Sequence, residues 1–200
     1  MRHSQTNHIR RLAATAILSA LAAILMLPAL QFSIPFLWPG FLKYDFSDLP
    51  ALIGAFAYGP VAGVIIELLK NLIHLPMTTT SGVGELANFL LGVAYVVPAG
   101  LIYHIRKSKA GAVWGSVAGT LLAGVVGFPV NYYITYPFYT NFMPMEAIMG
   151  MYTALNPAAD ELWKALLMFN LPLTLVKGSI NVLITFLIYK KISPLLHGKT

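Results

Sequence analysis

The chain has no cysteine among its 200 residues and only seven aspartates and glutamates. The first absence excludes disulfides and leaves the redox compartment unread. Charged residues of both signs make up 10% of the chain, against roughly 25% in an average soluble domain. No polar stretch is long enough to fold as a separate soluble domain. Enzyme signatures are missing as well. There is no HExxH zinc motif and no GxSxG elbow, and Glu67, His74 and Glu85 do not form a metal-ligand spacing. Gly198-Lys199-Thr200 resembles the end of a phosphate-binding loop, but position 193 is serine and no helix is expected to follow and hold a phosphate, so an ATPase is not expected. Neither catalysis nor a metal site is expected. The formal charge of +6 is accounted for by three basic clusters and calls for no nucleic-acid partner.

What the chain does have is apolar length. It is 58% hydrophobic, with a mean hydropathy of +0.72. Apolar stretches recur from Leu12 to Ile192, each near the ~20 residues that span hydrocarbon. They are continuous runs without polar alternation, which favours helices over a barrel. One all-α integral membrane domain covering residues 1–200 is expected, with the lipid bilayer as its solvent. Arg10 and Arg11 before LAATAILSALAAILML resemble a secretory signal, yet the run is long and Leu27-Pro28-Ala29 offers no small-x-small cleavage site, so it reads as an uncleaved first helix.

Basic residues gather at Arg10/Arg11, Arg106/Lys107/Lys109 and Lys190/Lys191. The positive-inside rule places all three clusters in the cytoplasm, which requires an even number of crossings between neighbouring clusters. A single helix over 46–73 would break that parity, so the segment is divided at Gly59-Pro60, where proline ends a helix. The expected architecture is six transmembrane helices at 10–27, 46–58, 60–75, 85–105, 112–135 and 158–192, with both termini cytoplasmic. The second is short for a full span. The last, about 35 residues and roughly 52 Å long, must project or kink, with Pro172 as the expected kink. The outward connections are then 28–45, 76–84 and 136–157. The first of these, rich in Phe32, Phe36, Trp38 and Phe41, reads either as an interfacial aromatic belt or as a lid over an apolar ligand.

Ionisable groups inside spans are expensive and need partners. Glu67 and Lys70, three apart, are spaced to pair on one helix face. Lys177 has no acid within one turn, so a ligand-facing role and a structural ion pair both stand. Asn88 and Asn131 fall near the outer ends of helices four and five, at the same depth as Lys177. Three polar groups under an aromatic loop suggest a cavity for a partly polar, flat molecule. Ala16-xxx-Ala20, Gly59-xxx-Gly63 and Gly115-xxx-Gly119 mark faces for close helix approach, whether internal or with another subunit.

Taken in order, YDFSDLPALIGAFAYGPVAGVIIELLKNLI, GELANFLLG, NYYITYPFY, LPLTLVKG and ITFLIYKK closely resemble the substrate-binding S component of energy-coupling-factor vitamin transporters, the riboflavin type above all. The resemblance runs across nearly the whole chain. It implies a non-enzymatic, multi-pass protein of the bacterial cytoplasmic membrane that captures riboflavin, or a related flavin, from outside. Such a subunit works with a membrane-embedded coupling protein and two ATPases, and riboflavin is its cargo, with no resident cofactor implied. Carried over by motif, Tyr44, Asp45 and Phe46 would line the loop side of the site. Asn131 and Lys177 would hydrogen-bond the ligand, with Asn88 as a further candidate. The riboflavin pattern PFNxxKG is altered here, with Thr174 in place of the amide, which leaves room for another vitamin as ligand. Ala16 and Ala20 match the small-residue pattern of the partner-docking face. A solitary ATP-independent transporter is the rival; it would usually show an internal inverted repeat and paired broken helices, neither of which the sequence displays.

Overall fold

The computed structural model describes residues 2–196, apart from the side chains of residues 2–8 and of Ile192, Ser193, Leu195 and Leu196. Met1 and residues 197–200, with the Gly198-Lys199-Thr200 end, lie outside the described residues. The described chain is helical, with one isolated antiparallel bridge between Phe32 and Tyr44.

Helix α1 covers Arg2–Leu25, beginning two turns earlier than expected. Helices α2 (Asp48–Tyr58) and α3 (Pro60–His74) are separated at the expected place. Gly59 adopts φ of 100°, which disfavours any residue with a Cβ, while its N–H closes α2 on the Ala55 carbonyl at 3.0 Å. Pro60 follows as the first residue of α3, where its missing donor costs nothing. Helix α4 runs Val83–Ile105 and α5 runs Lys109–Val130. Helix α5 starts on Ser108, whose hydroxyl accepts from the Gly111 N–H at 3.1 Å.

Past Val130 the helix changes register without ending. Asn131–Thr135 forms a π turn, followed by α6 (Tyr136–Tyr139). The same device recurs in the last rod: α8 (Leu162–Ala165), a π turn at Leu166–Asn170, then α9 (Leu171–Leu196). In each case a proline, Pro137 or Pro172, lies two residues beyond the π turn. The wider turn accommodates the carbonyls that the proline cannot bond. The distortion expected at Pro172 therefore takes the form of a π turn just ahead of it. The segment expected as a 136–157 connection is also corrected, since it contains α6 and a further helix, α7 (Met145–Thr153).

Four helical rods among the described residues are long and apolar enough to cross a membrane: Pro60–Met77, Val83–Ile105, Lys109–Tyr139 and Leu162–Lys191. Two of the small-residue faces serve packing inside this chain. A Cβ on Gly63 would meet Ala55 at 2.8 Å, and a Cβ on Gly115 would sit 2.7 Å from the Ala99 carbonyl oxygen. These glycines let α3 approach α2, and α5 approach α4, at backbone distance. Ala16 and Ala20 differ, for both are exposed.

Two apolar clusters hold the bundle. One, with Phe56, Ile66, Tyr95, Val96, Tyr103 and Tyr189, joins α2, α3, α4 and α9. The other lies under the 28–45 strap, where Trp38 and Tyr44 pack with Tyr136, Tyr152, Phe169 and Leu173. The aromatic residues of the strap divide between an outward and an inward side. Phe36 is 80% exposed, while Trp38 is buried and Phe41 meets the Tyr152 ring edge-on at 5.7 Å.

Candidate ligand-binding site

A cavity of about 210 Å³ opens beneath the strap, between α4, α5 and α9. Leu42 and Lys43 of the strap line its mouth. Asn88, Leu91 and Tyr95 come from α4, Thr120 from α5, Asn131 from the first π turn and Asn170 from the second. Thr174, Lys177 and Asn181 follow one another along a single face of α9. A larger cavity of about 370 Å³, lined by Phe41, Thr79, Phe142 and Met143, adjoins it, and Lys43 and Tyr139 line both.

Of the residues expected at the site, Asn88, Asn131, Thr174 and Lys177 line this cavity together. Tyr44, Asp45 and Phe46 do not. Tyr44 is tied to Phe32 by paired backbone hydrogen bonds of 3.0 and 2.8 Å and packs against both Phe32 and Phe46. Its buried hydroxyl has no partner among the described residues, and burial pushes the phenol up to about 12. Asp45 instead accepts from the Ser47 N–H at 2.8 Å, an Asx turn that launches α2.

The acid that reaches the cavity is Asp48, in the first turn of α2. Its Oδ2 lies 2.8 Å from Lys177 Nζ, with Asp45 Oδ1 at 3.5 Å, so the lysine is both ion-paired and ligand-facing. Asp48 is bonded on its other oxygen by Lys70, which also donates to Ser47 Oγ at 2.9 Å and lies 2.8 Å from Glu67. The expected Glu67–Lys70 pair is present, but as one link of a longer chain. Glu85, the other acid within a span, is held by His74 at 2.9 Å and Thr78 at 2.8 Å. Among the described residues no cluster of histidines, cysteines and acids is arranged to hold a metal.

The amides fill different roles. Asn131 donates one hydrogen to the Gly127 carbonyl at 2.8 Å, and its side-chain oxygen accepts no side-chain hydrogen bond among the described residues. Asn88 accepts from Asn71 at 3.2 Å. The Thr174 hydroxyl donates to the Asn170 carbonyl at 2.9 Å, so it meets a ligand as an acceptor. Asn170, which sequence reasoning missed, accepts from the Tyr152 hydroxyl at 2.7 Å and donates to Tyr136 at 3.0 Å. At the floor, Tyr95 and Asn181 complete no side-chain hydrogen bond among the described residues. The cavity thus offers hydrogen-bond donors and acceptors set among apolar walls.

The model for the family described as ECF transporter, substrate-specific component, matches residues 10–189. The chain is 32% identical to the riboflavin transporter RibU of Staphylococcus aureus, covering 94% of this chain and 92% of that protein. It is 31% identical to the riboflavin transporter FmnP of Bacillus subtilis, covering 93% of each. A solved structure described as the S component of a bacterial ECF transporter superposes with a TM-score of 0.73 at 30% identity, over 94% of this chain and 98% of that one. The fold and these matches agree over nearly the full length, and the chain belongs to the substrate-specific S components of ECF transporters, multi-pass membrane proteins that act in transport.

Proposed function

We propose that this subunit captures riboflavin, or a closely related flavin, from the outer side of the bacterial cytoplasmic membrane and delivers it inward. The observation that carries this reading is the cavity in which Asn88, Asn131, Thr174 and Lys177 converge beneath the strap, in a chain whose relatives are named as riboflavin transporters. Asp48 and Asn170 complete the ring of polar side chains. Tyr44 and Phe46 shape the end of the strap by packing on one another, and Asp45 acts on the site through Lys177. The three basic clusters support six crossings with both termini in the cytoplasm, which puts the strap and the cavity mouth outside.

The subunit carries no chemistry of its own. It joins a membrane-embedded coupling protein and two ATPases, with Ala16 and Ala20 on the exposed face of α1 as the docking surface. Purification followed by an absorbance spectrum tests the ligand. A yellow, flavin-like spectrum, or quenching of riboflavin fluorescence by the apo protein, is expected. Neither effect at micromolar concentrations would overturn the reading. Uptake into proteoliposomes should require the ATPases, and accumulation without them would favour a solitary transporter.

A further inference from the structure

From the cavity wall inward, five charged groups, all buried except the half-buried Lys177, form a chain of alternating sign: Asp45, Lys177, Asp48, Lys70, Glu67. Three carboxylates face two ammonium groups, which leaves one negative charge without a counter-charge. The excess falls at the Glu67 end. Asp48 is bracketed by both lysines, and Lys177 holds Asp45, whereas Glu67 has only Lys70, whose three donors are shared with Ser47 and Asp48. Glu67 is 0% exposed, and neither carboxyl oxygen has a hydrogen-bond partner among the described residues, Oε2 meeting Lys70 only as an ion pair at 2.8 Å. Helix α4 seals it in: a Cβ on Gly92, itself a cavity residue, would overlap the Glu67 carboxyl.

A second orphan lies one turn on. Asn71 donates to the Glu67 backbone carbonyl at 2.8 Å, which folds its amide over the same turn, yet its Oδ1 is buried without a donor. A buried carboxyl whose oxygens find no donor is a place where a bound proton removes the charge and turns one acceptor into a donor. An uncompensated carboxylate at this depth would cost several kcal/mol, and such groups neutralise instead. Among the described residues, the other groups facing this part of α3 do not supply a cation. Helix α4 brings Asn88 and Tyr95, His74 is engaged by Glu85, and Arg11 of α1 lies at the Gly59 end.

We propose that Glu67 is a proton-binding site, held as the neutral acid in the ligand-free subunit, and that its proton is linked to ligand binding through Lys70, Asp48 and Lys177. One proton passes from the aqueous cavity to the Glu67 carboxyl, and no other bond changes. With Glu67 neutral the remaining charges balance, two against two. Ionised Glu67 competes with Asp48 for Lys70, Asp48 then holds Lys177 more tightly, and the ammonium is less free to meet a ligand. Ligand affinity therefore falls as pH rises through the titration of Glu67. The linkage rests on the flavin reading above, while the proton site does not.

Infrared spectra of the ligand-free protein in light and heavy water test the site directly. Wild type should show the carbonyl band of a protonated buried carboxylic acid, shifted by deuterium and absent from Glu67→Gln. Riboflavin titrations by fluorescence quenching test the linkage. Wild-type affinity should weaken at least about fivefold between about pH 6 and about pH 9, while Glu67→Gln binds with the wild-type low-pH affinity throughout. An acid band that is missing from wild type or unchanged in the variant overturns the proton site. A variant that keeps the wild-type pH profile overturns the linkage. If Glu67→Gln does not insert, the wild type still decides: uptake of protons on adding riboflavin in weak buffer at high pH supports the proposal, and no uptake refutes it. Absence of quenching at every pH refutes the flavin reading alone, and the infrared result stands by itself.

Discussion

At the residue scale, Lys177 is the strongest handle on binding. It is the inner cation of the cavity, held in place by Asp48 at 2.8 Å. Hydrogen bonds from charged groups are worth about 1.5–3 kcal/mol, so Lys177→Ala should weaken flavin binding roughly 10- to 100-fold in a quenching titration while the protein still inserts. Unchanged affinity would remove Lys177 from the site. Thr174 predicts the opposite sign. Its hydroxyl proton is taken by the Asn170 carbonyl, so only acceptor capacity faces the cavity. Thr174→Asn restores a two-sided donor and acceptor and should tighten riboflavin binding by about 3- to 10-fold, the worth of one neutral hydrogen bond. Asn88, Asn131 and Lys177, three of the cavity-lining residues, were legible because a polar side chain in an apolar span has few explanations, whereas Thr174 was marked only by its place in the family motif. Asp48 was not assigned, although a lysine with no acid on its own helix signals a partner on another. The DFSDLP motif holds two aspartates, and only the start of α2 decides which one turns inward.

At the element scale, the Gly59-Pro60 break was readable because charge parity demanded it and proline could supply it. The π turns were not. Their widened geometry is settled by tertiary packing around Pro137 and Pro172, with Asn131 and Asn170 each at one end of a turn. The glycine faces were visible as spacings, but only contact with Ala55, Ala99 and Tyr95 assigned two of them to the interior. That assignment carries a prediction. A Cβ on Gly119 would run into the Tyr95 backbone, which cannot rotate away as a flexible side chain could. Gly119→Ala should therefore destabilise the α4–α5 pair by about 1–3 kcal/mol, seen as a lower midpoint in thermal unfolding in detergent. A midpoint equal to wild type would show that this interface is looser than the structure places it. Because Tyr95 is also at the cavity floor, flavin affinity should weaken in the same variant.

At the scale of the whole molecule, what distinguishes α1 is that its small residues face outward. Ala16 and Ala20 are exposed, flanked by Leu12 at 58% and Ile17 at 68% exposure, while Ser19 and Ala22 pack inward on the bundle. Gly63 of α3 and Gly115 and Gly119 of α5 are used up by neighbouring helices of this chain, but nothing in the described chain covers this face. A strip of alanines lets another helix approach closely, and a large side chain there would hold it off without disturbing the cavity on the far side of the bundle. Ala16→Trp should accordingly leave riboflavin quenching within about twofold of wild type, since the substitution touches no cavity residue. The same variant should fail to co-purify with the coupling protein and ATPases, and should lose ATP-driven uptake in proteoliposomes. Quenching lost together with assembly would mean that the substitution had unfolded the bundle, which thermal unfolding would reveal. Intact binding, assembly and uptake in Ala16→Trp would place the docking surface elsewhere.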